Sequence, residues 1–365
     1  MSTHVCGRRS GTVVAQCHGR KSPALAINKE AITMDTAVLE KPAAVAPEGT
    51  GGSGSEAVRR LRRRAKVLRR RGVFSPTPPP GLEIRRASSF ADLEAAYRLV
   101  HDCFVEQGYI DPHPSGLRVR AHSALPGTAL YAAVEDGQVV GTMSVIPDGQ
   151  LGLPMESAFG PEITALRRRG RRLVEVSDLA IAPGARNMRV LTELMRCVFA
   201  HSIVAGADDM VIAISPKHAA LFENILLFEP LGSERSYSPQ KLDIVEGKRL
   251  GLVSIREKVQ GLDRILAEDA FLEEFFFETN PYFELVQEWS VLGELMAADT
   301  DLFVDFFVKR AALLARCSER ELGALATHYP AVALWRSLAE REVEPAWQRG
   351  KRLTQVLRCA PPISN

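Results

Sequence analysis

From Leu82 onward the apolar positions switch between a two-residue and a three-to-four-residue period, and the switches mark out the elements. Leu82-Glu-Ile-Arg-Arg86 alternates and predicts a first strand. Ser89 to Phe104 has helical spacing, with Phe90, Leu93, Tyr97 and Phe104 near one face and Ser88 or Ser89 placed to cap it. A connection rich in Gly, Pro and His follows, from Gly108 to Pro126. Thr128 to Val134 and Gln138 to Ile146 read as a hairpin across Glu135-Asp136-Gly137. Leu151 to Arg171 is polar and helical in part. Leu173 to Ile181 is a strand, Asn187 to Ala205 a helix with a buried face, and Asp209 to Ile214 a short apolar strand. Pro216 to Leu227 reads as a helix with proline in its first turn, and Phe228 to Ser238 as a returning strand pair. This order predicts an α/β fold whose sheet has one open side.

The flanks have another character. Residues 1–29 lack Asp and Glu, and residues 42–55 have linker composition. A basic run, Arg59-Arg-Leu-Arg-Arg-Arg-Ala-Lys-Val-Leu-Arg-Arg-Arg71, ends in a proline-rich stop. Residues 1–80 are therefore expected to be a disordered basic arm and linker, with a short helix open to the basic run. Residues 81–245 are expected to form the folded α/β domain. Residues 246–365 read as a helical extension. Its aromatic clusters Phe271–Phe277 and Leu302–Val308, with Trp335 and Trp347, are expected to pack a small helical core on the sheet. A wall for a long apolar ligand, a dimer contact or a membrane-proximal surface are the alternatives for these clusters.

Composition adds limits. The chain has 365 residues, a net charge of +2 and 25% charged residues, as in ordinary soluble proteins. No run of eighteen apolar residues occurs. The six cysteines form no Cys-x-x-Cys pair, so neither a zinc site nor a disulfide framework is indicated, and a cytoplasmic setting is expected. The basic run suits an anionic membrane surface, an acidic protein or plain solvation. It lacks the interleaved aromatics of a nucleic-acid binder, which makes that partner the least expected.

Candidate chemistry gathers in Arg172-Leu-Val-Glu-Val-Ser-Asp-Leu-Ala-Ile-Ala-Pro183. Glu175 lies in the β-rich part. The turn Pro183–Asn187 then leads into a long helix, an arrangement suited to binding an anion. A lone carboxylate beside a phosphate site suggests proton removal next to a bound thioester donor.

Several short pieces, in this order and spacing, resemble a known family: Gly108-Tyr-Ile-Asp-Pro112, Val140-Gly-Thr-Met-Ser144, Gly152-Leu-Pro-Met155, Gly170-Arg-Arg-Leu-Val-Glu-Val-Ser177, Pro216-Lys-His218 and Phe228-Glu229. The region from about 82 to 245 resembles the GNAT acyltransferases. Within them it is similar to the FeeM-type N-acyl amino acid synthases, relatives of the LuxI-type acyl-homoserine lactone synthases. The resemblance implies a GNAT-like mixed sheet flanked by helices, in which strands 173–181 and 209–214 part to admit a pantetheine arm. It implies that backbone at Leu179 and Ile181 holds the pantetheine, and that Arg186, Asn187 and Arg189 meet its phosphate. The two arginines have solvated helix positions as their alternative. The turn departs from the usual glycine-rich GNAT pattern, which favours an acyl-carrier-protein donor over coenzyme A.

The resemblance further implies that Glu175 is the base that deprotonates the acceptor amine; an exposed strand acid, or an ion pair with Arg171 or Arg172, is the alternative. Ser177 would assist at the acceptor or the thioester, or be a strand serine bonded to backbone. Arg98, His101 and Tyr109 would shape the acceptor pocket, with Arg118 and Arg120 as further carboxylate ligands. Phe222 stands where many relatives keep a tyrosine acid. His218 is the replacement candidate, or else a capping or core histidine. No Gly-x-Ser-x-Gly elbow occurs, so direct attack without an acyl-enzyme is expected. No metal and no permanently bound cofactor are expected. The partners would be an acyl-carrier protein, an amino-acid acceptor and, through the arm, an anionic membrane surface. The product would be an N-acyl amino acid. A homoserine-lactone-type signal synthase, an acetyl-CoA-dependent enzyme and a catalytically silent binding module are the alternatives.

Overall fold

The computed structural model describes residues 53–224, 226–237, 244–329 and 332. Trp335, Trp347 and the arm before residue 53 lie outside the described residues. Seven strands form one sheet, β1 (Leu82–Arg86), β2 (Ala129–Glu135), β3 (Gln138–Pro147), β4 (Leu173–Ile181), β5 (Asp209–Ile214), β6 (Glu229–Ser236) and β7 (Ile244–Gly251). Their spatial order is β1-β2-β3-β4-β5-β7-β6. Every neighbouring pair is antiparallel except β4 with β5. The helices are α1 (Ser53–Arg70), α2 (Phe90–Glu106), α3 (Glu156–Arg168), α4 (Met188–Val204), α5 (Pro216–Asn224), α6 (Ile255–Leu266), α7 (Tyr282–Ala298), α8 (Thr300–Leu302) and α9 (Glu319–His328). This is the mixed α/β architecture that the sequence pattern predicts, GNAT-like in its parted central strands.

Local chemistry accounts for the joints. Asp136 and Gly137 both have positive φ, 49° and 76°, the pairing that a two-residue hairpin turn between twisted strands requires. Ser89 caps α2 by accepting from the Asp92 amide, and Asn187 caps α4 by accepting from the Val190 amide. Gly141 of β3 has no room for a side chain, because a Cβ there would lie 2.7 Å from Val190 and 3.1 Å from Leu194. Helix α4 thus lies directly on one face of the sheet. Helices α2 and α3 cover the other, where Ala180 packs with Val100 and Cys103, and Leu173 and Val211 pack with Phe159 and Ile163.

The C-terminal region departs from the expected run of helices at its start. Residues 244–251 form β7, which inserts between β5 and β6 and pairs with both. The expected boundary at 245 therefore falls inside a strand of the sheet, and the expected final pair within 228–238 is the single strand β6. Lys248, Arg249 and two glycines gave β7 no apolar alternation to read. Lys248 is buried there and paired with Glu223 and Glu246.

The two aromatic clusters form π-helical turns at Glu274–Glu278 and Phe303–Arg310, closed by bonds such as Thr279 N–H to Glu274 O at 2.9 Å and Ala311 N–H to Phe306 O at 2.8 Å. They do not build a separate core. The first packs on the α4 face, with Phe276 5.0 Å from Phe199. The second packs on α2, where Phe306 lies 5.9 Å from Tyr97 and 5.5 Å from Phe90.

The expectation of disorder through residue 80 fails for residues 53–80. Helix α1 buries Ala65 and Leu68, and the segment after it buries Val73 and Phe74. Phe74 stacks on Phe271 at 4.7 Å and meets the edge of Phe275 at 5.1 Å. Thr192 of α4 donates to Val73 O at 2.8 Å, and Arg62 and Arg69 donate to backbone at the end of α6 and just beyond it, at Ile265 and Glu268. A few apolar residues spaced along one face suffice to dock an otherwise basic helix. Replacing Phe74 by Ala should cost about 3–5 kcal/mol locally, the usual range for a buried phenylalanine. Limited proteolysis should then cut within residues 53–80 while the sheet stays resistant; an unchanged cleavage pattern would refute the docking.

Candidate functional site

The site forms where β4 and β5 separate. The two strands pair only from Leu173–Glu175 to Asp209–Val211, although both run on toward Ile181 and Ile214. Their closed end is clamped by charge. Asp209, fully buried, accepts from Arg171 at 2.6 Å and from Arg249 at 2.8 Å, and Asp208 accepts from the Arg172 amide at 2.8 Å. Beyond Glu175 the flank of β4 that faces β5 has no strand partner among the described residues.

A bulge shapes the open part of β4. Thr142 pairs with Ala180 but Ser144 pairs with Ser177, so β4 carries one extra residue. Asp178 adopts a φ of 50°, a left-handed value that aspartate tolerates better than most residues. The bulge carries the Asp178 side chain into a buried nest on the α2–α3 face. Asp178 Oδ1 accepts from Arg118 at 2.8 Å and Arg120 at 3.1 Å, and its Oδ2 accepts from Ser144 at 2.9 Å. Thr142 donates to the Asp178 carbonyl at 2.8 Å. Burial alone would raise the Asp178 pKa, but Arg120 and Arg118 outweigh it and hold the carboxyl below its usual range.

Glu175 lies on the same face and is 2% exposed. Its Oε2 accepts from the Met155 amide at 2.8 Å. That amide is presented by the loop Gly152-Leu-Pro-Met155, where Gly152 has a φ of 71° and the Glu156 carboxylate folds back onto the Leu153 amide at 2.6 Å. Burial pushes Glu175 up to about 7, against the pull of Arg120 and the Met155 amide. A carboxylate poised there can take a proton from a bound ammonium and release it again near neutral pH. The alternative of an ion pair with Arg171 or Arg172 is not what the structure shows, since those arginines bind Asp209 and Asp208.

The other candidates divide by location. Ser177, half-buried, accepts from Arg120 at 2.9 Å and belongs to the cluster. Arg118 also lies over the Phe104 ring at 4.5 Å, and Tyr109 meets that ring edge-on at 5.7 Å, so Tyr109 reaches the cluster at one remove. Arg98 is engaged with Glu94 at 2.6 Å. His101 holds Asp102 at 2.8 Å and accepts from the His113 amide at 3.0 Å, shaping the 108–126 connection.

At the mouth of the wedge, Arg186 pairs with Glu106 and Asn187 caps α4. Arg189 donates to Arg71 O at 3.1 Å. Leu179 and Ile181 lie on the stretch of β4 beyond its ladder with β5. Burial, with Lys217 adding to it, holds His218 down to about 4, so it is a neutral imidazole at pH 7. Phe222 is buried against Phe228 at 5.4 Å.

Three participants escaped the sequence reading. Asp178 is the buried partner of the two arginines, and Ser144 donates to its other oxygen. Tyr237 packs beside the α3 core, where burial and the nearby Glu175 carboxylate push its phenol up to about 12. The run Glu-Val-Ser-Asp signalled two acids close together, but strict alternation places Asp178 on the opposite face from Glu175. Only the bulge brings it round.

Comparisons with known proteins fall on the same region of the chain. Residues 95–245 match the family model described as N-acyl amino acid synthase FeeM. Among solved structures, FeeM, an N-acyl amino acid synthase from uncultured soil microbes, is 25% identical, with 50% of this chain and 95% of that chain covered and a TM-score of 0.44. BjaI, a CoA-dependent acyl-homoserine lactone synthase solved with SAM and isopentyl-CoA, is 20% identical, covering 50% and 88%, with a TM-score of 0.39. The acyl-homoserine lactone synthase LasI is 18% identical, covering 47% and 88%, with a TM-score of 0.35. No curated protein matches the chain. The family match marks the segment as an N-acyltransferase domain.

Asp178→Asn keeps the shape of the side chain and removes the charge between two guanidinium groups. It should destabilise the fold by about 3 kcal/mol at pH 7 in urea unfolding. Because the folded carboxyl has a lowered pKa, its contribution is present above the unfolded value and lost as pH falls through the folded one. The gap between wild type and variant should therefore close below about pH 4; a gap independent of pH would refute the charge argument.

Proposed function

We propose that this N-acyltransferase moves a long-chain acyl group from a pantetheine thioester, carried on acyl-carrier protein, to the amine of an amino acid. The observation that carries the reading is Glu175, a buried carboxylate with its pKa raised to about 7, set where β4 leaves β5 and within the electrostatic reach of Arg120 and Arg118.

The parts suit that reaction. A thioester arm entering the wedge meets backbone groups of β4 that no strand among the described residues has taken. One such amide would stabilise the tetrahedral oxyanion. The acceptor is cationic at its amine and anionic at its carboxylate. Arg120 has a buried Nε without a hydrogen-bond partner among the described residues, a donor for that carboxylate. Glu175 takes the ammonium proton and the free amine attacks the thioester carbonyl. Collapse of the intermediate breaks the C–S bond and expels the thiolate, and the second proton of the attacking nitrogen passes to water as the amide forms. The proton on Glu175 is then available to the thiolate, whose ordinary pKa of about 8.5 lies above that of the carboxyl. His218, neutral with a pKa near 4, is poorly suited to that transfer, whereas the Tyr237 phenol keeps its proton throughout the neutral range. The cytoplasm is the setting in which both substrates occur together.

Mass spectrometry of reactions pairing acyl-carrier-protein and acyl-CoA donors with a panel of amino acids tests the reading. An N-acyl amino acid formed from the carrier-borne donor is expected. Formation of a homoserine lactone product, or use of acetyl-CoA alone, would refute it. Glu175→Gln should lower kcat about 10²–10⁴-fold, the usual worth of a general base. The wild-type rate should rise with pH through about 7 as Glu175 ionises, and the variant should lose that limb. Arg120→Lys should raise KM for the amino acid about tenfold and leave KM for the donor unchanged.

A further inference from the structure

Helix α1 precedes the segment that the family match covers, so its role must come from this chain. It carries eight Arg and Lys residues, counted along SGSEAVRRLRRRAKVLRR, against one acid, Glu56. Its apolar side is already used, with Ala65 and Leu68 buried. Arg59, Arg63, Lys66 and Arg70 are exposed. They stand at i, i+4, i+7 and i+11, which places all four within a narrow stripe of helix surface about 16 Å long. No large apolar residue of α1 is exposed beside the stripe to enter a lipid surface.

Position gives the stripe its meaning. Its C-terminal end abuts the start of α4. Arg189 donates to Arg71 O at 3.1 Å, and its guanidinium lies 3.2 Å from where a Cβ on Gly72 would be. Arg189 follows the turn at Pro183–Asn187, the end toward which the β4–β5 wedge opens. Lys217, at the start of α5, and Arg186 bracket the same mouth by binding Gln107 and Glu106 at the end of α2. The cations of α1 thus extend a positive margin outward from the mouth.

We propose that the exposed stripe of α1 is the docking surface for the acidic carrier domain that delivers the acyl-pantetheine arm. This rests on the acyl-transfer reading and adds the surface on which the donor is held. A free coenzyme A donor ends at its nucleotide and has no use for cations extending so far from the wedge. A carrier domain with an acidic helix places opposite charge along the same length while its arm enters between β4 and β5. Electrostatic contact of this kind raises the encounter rate and is weakened by salt.

The test is the full-length variant R59E/R63E/K66E/R70E, with circular dichroism to show that the fold is retained. Binding of fluorescently labelled acyl-carrier protein, loaded with a long acyl chain, is measured by anisotropy. Kinetics are measured in parallel with the same acyl group on carrier protein and on coenzyme A. We expect carrier binding to weaken at least tenfold, KM for the carrier-borne donor to rise by a similar factor, and KM for acyl-CoA to stay unchanged. The salt dependence of wild-type carrier binding should flatten in the variant. Unchanged carrier binding overturns the assignment. So does a wild type that does not bind the carrier, or a variant that loses only its binding to phosphatidylglycerol vesicles. Wild-type carrier binding without transfer from any donor would instead overturn the acyl-transfer reading, while the binding comparison still decides the surface.

Discussion

The buried contact between Asp178 and the two arginines of the 108–126 connection is the constraint around which the site is organised. A carboxylate in that position is costly unless it is paired, and it is paired twice, with a hydroxyl on its other oxygen. The contact fixes the bulge of β4 from outside. It also pins the long connection against the sheet, since Arg118 and Arg120 come from that connection. Strand β4 therefore leaves β5 in a defined shape, with Glu175 at the branching point. The opposite end is held shut by Asp209 between Arg171 and Arg249. Charge pairs thus set both the closed and the open ends of the wedge.

The same electrostatics tune Glu175. It is as buried as Asp178, yet its pKa moves the other way. The difference lies in the partners. Asp178 receives two guanidinium groups and Ser144, whereas Glu175 receives one backbone amide and feels the arginines from further off. One carboxylate is therefore held permanently charged as structure and the other is left able to exchange a proton. This division separates a permanently paired acid from a proton-exchanging carboxylate within four residues of one strand.

The regions outside the core share a similar logic. Two Phe-rich segments, spaced for ordinary helices, widen into π-turns and cover opposite faces of the sheet. The basic helix α1 docks through very few apolar residues, and Phe74 anchors it among the first cluster. The extension on each side of the acyltransferase segment is therefore packed onto it, and its exposed chemistry is carried on a fixed frame.

The sequence by itself determined β1 to β5, the hairpin turn at Asp136-Gly137, the long helices and the candidacy of Glu175. Each of these rests on local periodicity, turn chemistry or a short motif, which the chain carries within a few residues. Tertiary structure alone decided the rest. Strand β7 was illegible because its charged residues and glycines interrupt any apolar alternation, and it is a strand only because β5 and β6 offer edges on both sides. The docking of α1 depends on a surface made by α4, the end of α6 and Phe271, more than 100 residues away in the chain. Asp178 was hidden for a sharper reason. Alternation along a strand assigns each side chain a face, and one extra residue reverses that assignment beyond it. No local pattern announces the extra residue, because what stabilises it is a pair of arginines some sixty positions earlier.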